Sequence, residues 1–144
     1  MSNRHRPARS RMRARAAEAC RVRFQGKPYQ AGVRDCTLMA LHALRRLNIA
    51  VPFAKGLRYR NEADGIRALK AAGFASLIEA VDALGFPRIA PAMAMPADLV
   101  ALATDHQLGA LGVAMGNGNV LALTEHTATA EVLRKSGQDS AARA

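Results

Sequence analysis

The sequence predicts an α+β fold in which N-terminal helices pack on a small antiparallel β-meander. Three observations predict it. Residues 11–85 carry apolar side chains at helical spacing, interrupted by Gly and Pro. After residue 97 the pattern changes to short apolar runs, at 98–103, 108–115 and 120–124. Gly116-Asn117-Gly118-Asn119 joins the last two runs. Asn-Gly between apolar runs signals a hairpin, because a type I′ turn needs positive φ at both central residues.

Each element follows in chain order. Residues 1–10 read as a flexible arm, and 11–22 as a short helix with Ala14, Ala16, Ala17 and Cys20 on one side. Residues 24–33 hold two Gly and one Pro and read as a loop. Asp35 suits an N-cap, its charge complementing the N-terminal end of a helix dipole. Leu38, Met39, Leu41, His42, Leu44 and Leu47 then recur at helical spacing, and this helix ends near Asn48, ahead of Pro52. A loop over 52–61 leads to a helix over 62–72, closed by Gly73. Ser76 and Glu79 form a capping box for the next helix, which stops at Gly85. Residues 87–96 are a connection rich in Pro, Ala and Met. Beyond the strands, 128–135 is expected to form a last helix, and 137 onward a frayed tail.

Composition narrows the class. Half of the 144 residues are apolar, enough for a core. Aromatics are 4% and Trp is absent, so that core is built from Ala, Leu, Val, Ile and Met. No apolar run approaches the roughly 18 residues of a membrane span. The charged N-terminus is not followed by the apolar segment of a signal peptide. Two cysteines are too few for a disulfide framework or a zinc site, so neither metal nor cofactor is expected. They fit a reducing compartment, and Cys20 reads as a small buried hydrophobe.

Charge is concentrated at one end. Residues 1–24 hold eight arginines against Glu18, so seven of the ten net positive charges lie there. The predicted organisation is a basic arm over 1–24, a nearly neutral domain over 25–136 and a tail over 137–144. Arg4, Arg6, Arg9, Arg11, Arg13 and Arg15 are the arm's candidate partner-binding residues, suited to an acidic protein surface or to nucleic acid. No aromatic is interleaved to stack on bases, and no nucleic-acid reader motif accompanies them.

The candidate catalytic residue is Cys36. A helix N-terminus lowers a thiol's pKa through its dipole and free N–H groups, although Asp35 next door opposes this. A cysteine nucleophile also needs a base, and a group to orient that base. Around Cys36 runs Tyr29-Gln30-Ala31-Gly32-Val33-Arg34-Asp35-Cys36. Then come Tyr59-Arg60, helices closed by Gly73 and Gly85, the Asp98-Leu99-Val100 strand, the Leu111-Gly112-Val113 strand and the Gly-Asn-Gly hairpin. This order over about 25–136 resembles the NlpC/P60 papain-like cysteine peptidases. More closely, it is similar to their short phage and prophage relatives among tail proteins.

The resemblance implies a papain-like fold with Cys36 at the nucleophile position. It also implies a histidine opening the strand at 110 and an orienting residue twelve positions later. This chain has Ala110 and Ala122 at those places, and Ala97 where the family has Gly. Alanine can neither accept a proton nor orient a ring. His42 lies six residues after Cys36 on the same helix, roughly 600° and about 9 Å away, so it is expected to point elsewhere. His106, four residues before the strand, and His126, just beyond the return strand, are bases only for an active site. General-base assistance contributes about 10²–10⁴-fold to rate.

The resemblance therefore implies a catalytically dead NlpC/P60-like domain serving as a structural component of a phage tail tip or baseplate. Such a protein is assembled in the host cytoplasm, carried in the virion, and docks on hub or distal-tail proteins. The basic arm and the apolar 90–95 segment are expected to make those contacts. Two alternatives stay open. One is an active peptidoglycan endopeptidase or amidase of the tail, using Cys36 with a relocated or partner-supplied histidine. The other is nucleic-acid binding through the arm.

Overall fold

Arg13, Ala16, Ala17, Cys20 and Phe24 recur every three or four residues, and in the computed structural model they form the buried stripe of one long helix. The structure describes residues 5–102, 108–123, 131–134 and 140–143. This first helix, α1 (His5–Phe24), replaces the flexible arm over residues 5–10 and the short 11–22 helix expected from sequence, and residues 1–4 lie outside the described residues. The separate basic arm is corrected accordingly over residues 5–24. Its small residues let the backbone approach α2 (Cys36–Arg46) and the sheet closely, so the segment belongs to the core.

Two shorter helices follow, each started by a side-chain cap. Asn61 accepts from the Asp64 N–H to begin α3 (Glu62–Ala71), and Ser76 accepts from the Glu79 N–H to begin α4 (Leu77–Ala83). The Glu79 carboxylate reaches back to the Ala75 N–H, so the predicted reciprocal capping is present one residue displaced.

Among the described residues, six strands form one antiparallel sheet. They are β1 (Arg88–Ile89), β2 (Leu99–Leu102), β3 (Ala110–Gly116), β4 (Asn119–Ala122), β5 (Glu131–Arg134) and β6 (Ser140–Ala142), in spatial order β1-β6-β2-β3-β4-β5. β3 and β4 are joined by Asn117 and Gly118, with φ of 53° and 80°. Both are positive, as the type I′ turn requires. The pairing slips by one residue between Ala114 and Gly116, a bulge beside this turn.

Side-chain alternation divides the core. Leu99, Leu111, Val113 and Leu121 face the helices and pack with Cys20, Phe24, Met39, Ala43 and Leu44. Val100, Ala114, Val120 and Ala141 form a second cluster with Ile89, Ala94 and Leu102. The α+β class and the helices-then-meander order hold, but the sheet is wider than the sequence predicts. The 87–96 connection contributes β1. Glu131–Arg134 is a strand, not part of a helix, because Val132 and Leu133 pair with Leu121 and Val120. The tail beginning at 137 contributes β6, whose Ala141 and Ala142 are buried between β1 and β2.

Asp98 fastens the two chain ends to the sheet. Its carboxylate is fully buried at the start of β2 and accepts from Arg13 of α1 at 2.9 Å and from Arg143 after β6 at 2.8 Å. The Met95 N–H also donates to it, at 2.8 Å. The preceding Ala97 is buried and has a φ of 70°. A left-handed backbone is one that glycine adopts more readily than alanine.

Candidate functional site

The site begins with a cap. Asp35 precedes α2 in extended conformation, and one of its carboxylate oxygens accepts from the Leu38 N–H at 2.8 Å. The other oxygen accepts from the Gly32 N–H at 2.9 Å and from the Tyr59 hydroxyl at 2.5 Å. Gly32 has a φ of 80°, and a Cβ there would lie 1.9 Å from the Tyr59 carbonyl oxygen. The Tyr59 ring rests against Gly65 of α3, where a Cβ would come within 3.3 Å. The Gly-x-x-Asp and Tyr-Arg motifs, far apart in sequence, are thus two halves of one clasp. It holds the 28–35 loop and sets the start of α2.

Cys36 is the first residue of α2, directly after this clasp, and is partly accessible. The Leu111 backbone N–H and the Thr37 hydroxyl are directed at its sulfur, and both favour the thiolate. Burial outweighs them, and with the opposing Asp35 carboxylate it pushes the thiol up to about 11. Cys20 is fully buried, donates to the Met39 carbonyl at 3.7 Å, and is pushed by burial up to about 12. It is the packed hydrophobe that the sequence predicts. Tyr59 is likewise raised, by burial first and then by the Asp35 charge, so its hydroxyl remains a donor.

A cavity of about 120 Å³ opens beside Cys36. Its walls are predominantly aliphatic, from Ala40, Leu41 and Leu44 of α2, Leu69 of α3, Val81 and Leu84 of α4, and Leu99 and Leu111 of the sheet. Phe53 reaches it from the loop before α3, where its ring packs on Phe74 at 4.8 Å. Polar groups gather at the Cys36 end, where Asp35, Thr37 and Tyr59 line the wall. A pocket with apolar walls and a few convergent polar groups is the usual form of a small-ligand site.

The structure brings some predicted residues together. Ala110 opens β3, lines the same cavity as Cys36, and adjoins the residue whose N–H reaches the sulfur. Ala122 lies on β4 opposite Gly112 and is buried. His42 does not face the thiol. It packs edge-on against Phe24 of α1, with ring centroids 5.9 Å apart, while Ala40, Leu41 and Leu44 of its helix line the cavity. His106, His126 and Arg4 lie outside the described residues, and Arg6 falls in the first turns of α1. Arg9, Arg11 and Arg15 are exposed on α1. Arg13 is not a surface contact, since 9% of it is exposed and its guanidinium is committed to Asp98 and to the Pro96 carbonyl. Its expected partner-binding role is corrected.

Three features escape sequence reading. Tyr59 as the partner of Asp35 is signalled only by its place in a motif. The cavity is assembled from segments without a common pattern. The Arg13–Asp98–Arg143 cluster joins residues 85 and 45 positions apart. An acidic residue opening an otherwise apolar strand is its one local sign.

Fold and site together define an α+β protein with a thiol at the start of a helix, set against an antiparallel sheet and an apolar cavity. The chain belongs to the DUF6950 family, a domain of unknown function whose model matches residues 8–141. No curated protein and no solved structure matches it.

Proposed function

We propose that this chain is a non-catalytic structural protein of a phage tail tip or baseplate, built on an inactive NlpC/P60-like scaffold and docking on hub or distal-tail subunits. One observation carries the non-catalytic part. The residue opening β3 at the Cys36 cavity is Ala110, and the thiol beside it is pushed up to about 11. A nucleophilic cysteine needs a thiolate and a group to receive its proton. Here burial favours the thiol, and an alanine methyl stands where the base is expected. The tail setting is supported by the resemblance of residues 25–136 to short phage relatives.

A second reading has an observation in its favour. Cys36 sits at a helix start, receives an N–H from Leu111 and faces a cavity, which is what a working cysteine hydrolase requires apart from the base. In that reading His106, His126 or a partner's histidine completes the site, and peptidoglycan stem peptides are the substrate.

Incubating the protein with peptidoglycan and analysing the released fragments separates the two. The structural reading expects no cleavage, with or without Cys36→Ala. Cleavage that disappears in Cys36→Ala, His106→Ala or His126→Ala would establish the hydrolase instead. The tail setting is checked separately, by co-purification of the protein with tail hub or distal-tail subunits expressed from the same genome.

A further inference from the structure

Helices α1 and α2 run side by side in the same sense. The Cys20 thiol meets the Met39 carbonyl at 3.7 Å, and four residues further along α1 the Phe24 ring meets His42 at 5.9 Å. Both helices therefore finish at one corner of the molecule. Each ends in arginine, Arg21 and Arg23 in the last turn of α1 and Arg45 and Arg46 in that of α2. Arg21 is paired with Glu18 at 2.5 Å. Arg23, Arg45 and Arg46 are exposed and make no ion pair among the described residues. Arg23 lies 5.7 Å from the centre of the Phe24 ring, which fixes it over the α1–α2 seam. Burial first, and then the charges of these three arginines, hold the His42 imidazole below its ordinary value.

The geometry points to this corner as a docking surface for an acidic protein segment, whose carboxylates pair with the guanidiniums of Arg23, Arg45 and Arg46. The last turn of a helix tolerates cations, because they offset its partial negative charge. Three at the joint end of two helices exceed what those ends need. The cluster is compact, whereas duplex nucleic acid is typically held by about six to ten phosphate contacts along a track. Of the rings beside the cluster, Phe24 is buried and His42 is half-buried and engaged edge-on with it, so neither offers a face on which a base could stack. This surface does not rest on the phage-tail reading. It also differs from the arm expected from sequence, because two of its three charges come from α2.

A fluorescein-labelled octaglutamate peptide, followed by anisotropy at low salt, tests it. The variant Arg23→Glu/Arg45→Glu/Arg46→Glu is compared with Lys55→Glu/Arg58→Glu/Arg60→Glu, which reverses three exposed charges in the loop before α3. Net charge is the same in both. Affinity is expected to fall at least about tenfold in the first and less than about threefold in the second. Peptide bound to the unaltered protein is expected to raise the His42 titration midpoint in NMR, because carboxylates cancel the arginine field. Equal losses in the two variants would overturn the proposal in favour of bulk charge. Displacement of the peptide by a 20-base-pair duplex at a lower concentration than unlabelled peptide needs would overturn it in favour of nucleic acid. Should the triple variant fail to melt cooperatively, Arg45→Glu alone supplies the comparison, with about a threefold loss expected and none overturning the proposal.

Discussion

At the scale of single residues, the decisive chemistry is the proton on Cys36. The Leu111 N–H and the Thr37 hydroxyl beside its sulfur favour the anion, yet burial pushes the thiol up to about 11. At neutral pH only about one molecule in ten thousand then carries a thiolate. Iodoacetamide labelling of Cys36 is expected to be slow at pH 7 and to accelerate about tenfold per pH unit until pH approaches 11. A rate that already levels off near pH 8 would reveal a base beside the sulfur and defeat the inactive reading. The same shift bears on stability. A thiol raised in the folded state stabilises the protein fully below its ordinary value near 9, and that contribution is lost as pH rises from there through about 11. Ala97 carries a second residue-scale prediction. With a φ of 70° it holds a conformation costing an alanine about 1–2 kcal/mol relative to glycine, so Ala97→Gly is expected to raise the melting temperature. Cys36 at a helix start was legible because Asp-Cys before an apolar helical run has a local signature. Tyr59 as the partner of Asp35 was not, because nothing within a few residues of either names the other.

At the scale of elements, α2, α3 and α4 were legible, and α1 and the sheet only partly so. Asp35, Asn61 and Ser76 cap the helices they precede, since capping is a contact over three residues and is written locally. The Asn117-Gly118 turn is local in the same way. The errors fall where partners are remote. Glu131–Arg134 has no decisive period of its own and becomes a strand because β4 offers it an unpaired edge. Ser140–Ala142 looks like a frayed end, yet it fills the gap between β1 and β2. The arginine-rich start looks like an arm, yet a stripe of small residues seats it on α2. Two truncations follow. Deleting residues 1–24 removes Ala16, Ala17, Cys20 and Phe24 from the core, and circular dichroism is expected to show no cooperative melt. Deleting 140–144 removes β6 and the Arg143 contact to Asp98, and is expected to lower the melting temperature markedly instead of leaving it unchanged, as loss of a frayed tail would.

At the scale of the whole molecule, the two ends of the chain meet on one buried carboxylate. Arg13 and Arg143 both pair with Asp98, so the first helix and the last strand are held by the same group. Replacing Asp98 with Asn leaves two guanidiniums facing a neutral amide. Removing one partner of a buried ion pair typically costs about 3–5 kcal/mol. Urea titration of Asp98→Asn is expected to show a loss of this size. In the parent protein, probes on α1 and near Arg143 should unfold with one midpoint. An Asp98→Asn protein as stable as the parent would show that the ends are held by apolar packing alone. The sequence by itself determined the starts of α2, α3 and α4, the hairpin, the α+β order and the alanine at position 110. Those follow from contacts within a few residues, or from the identity of one side chain. Only the tertiary structure decided that the basic segment is a core helix, that the last residues complete the sheet, that Tyr59 clasps Asp35, and that Arg23 converges with Arg45 and Arg46. Each of these joins residues far apart in the chain. Packing selects such pairs, and no local pattern encodes them.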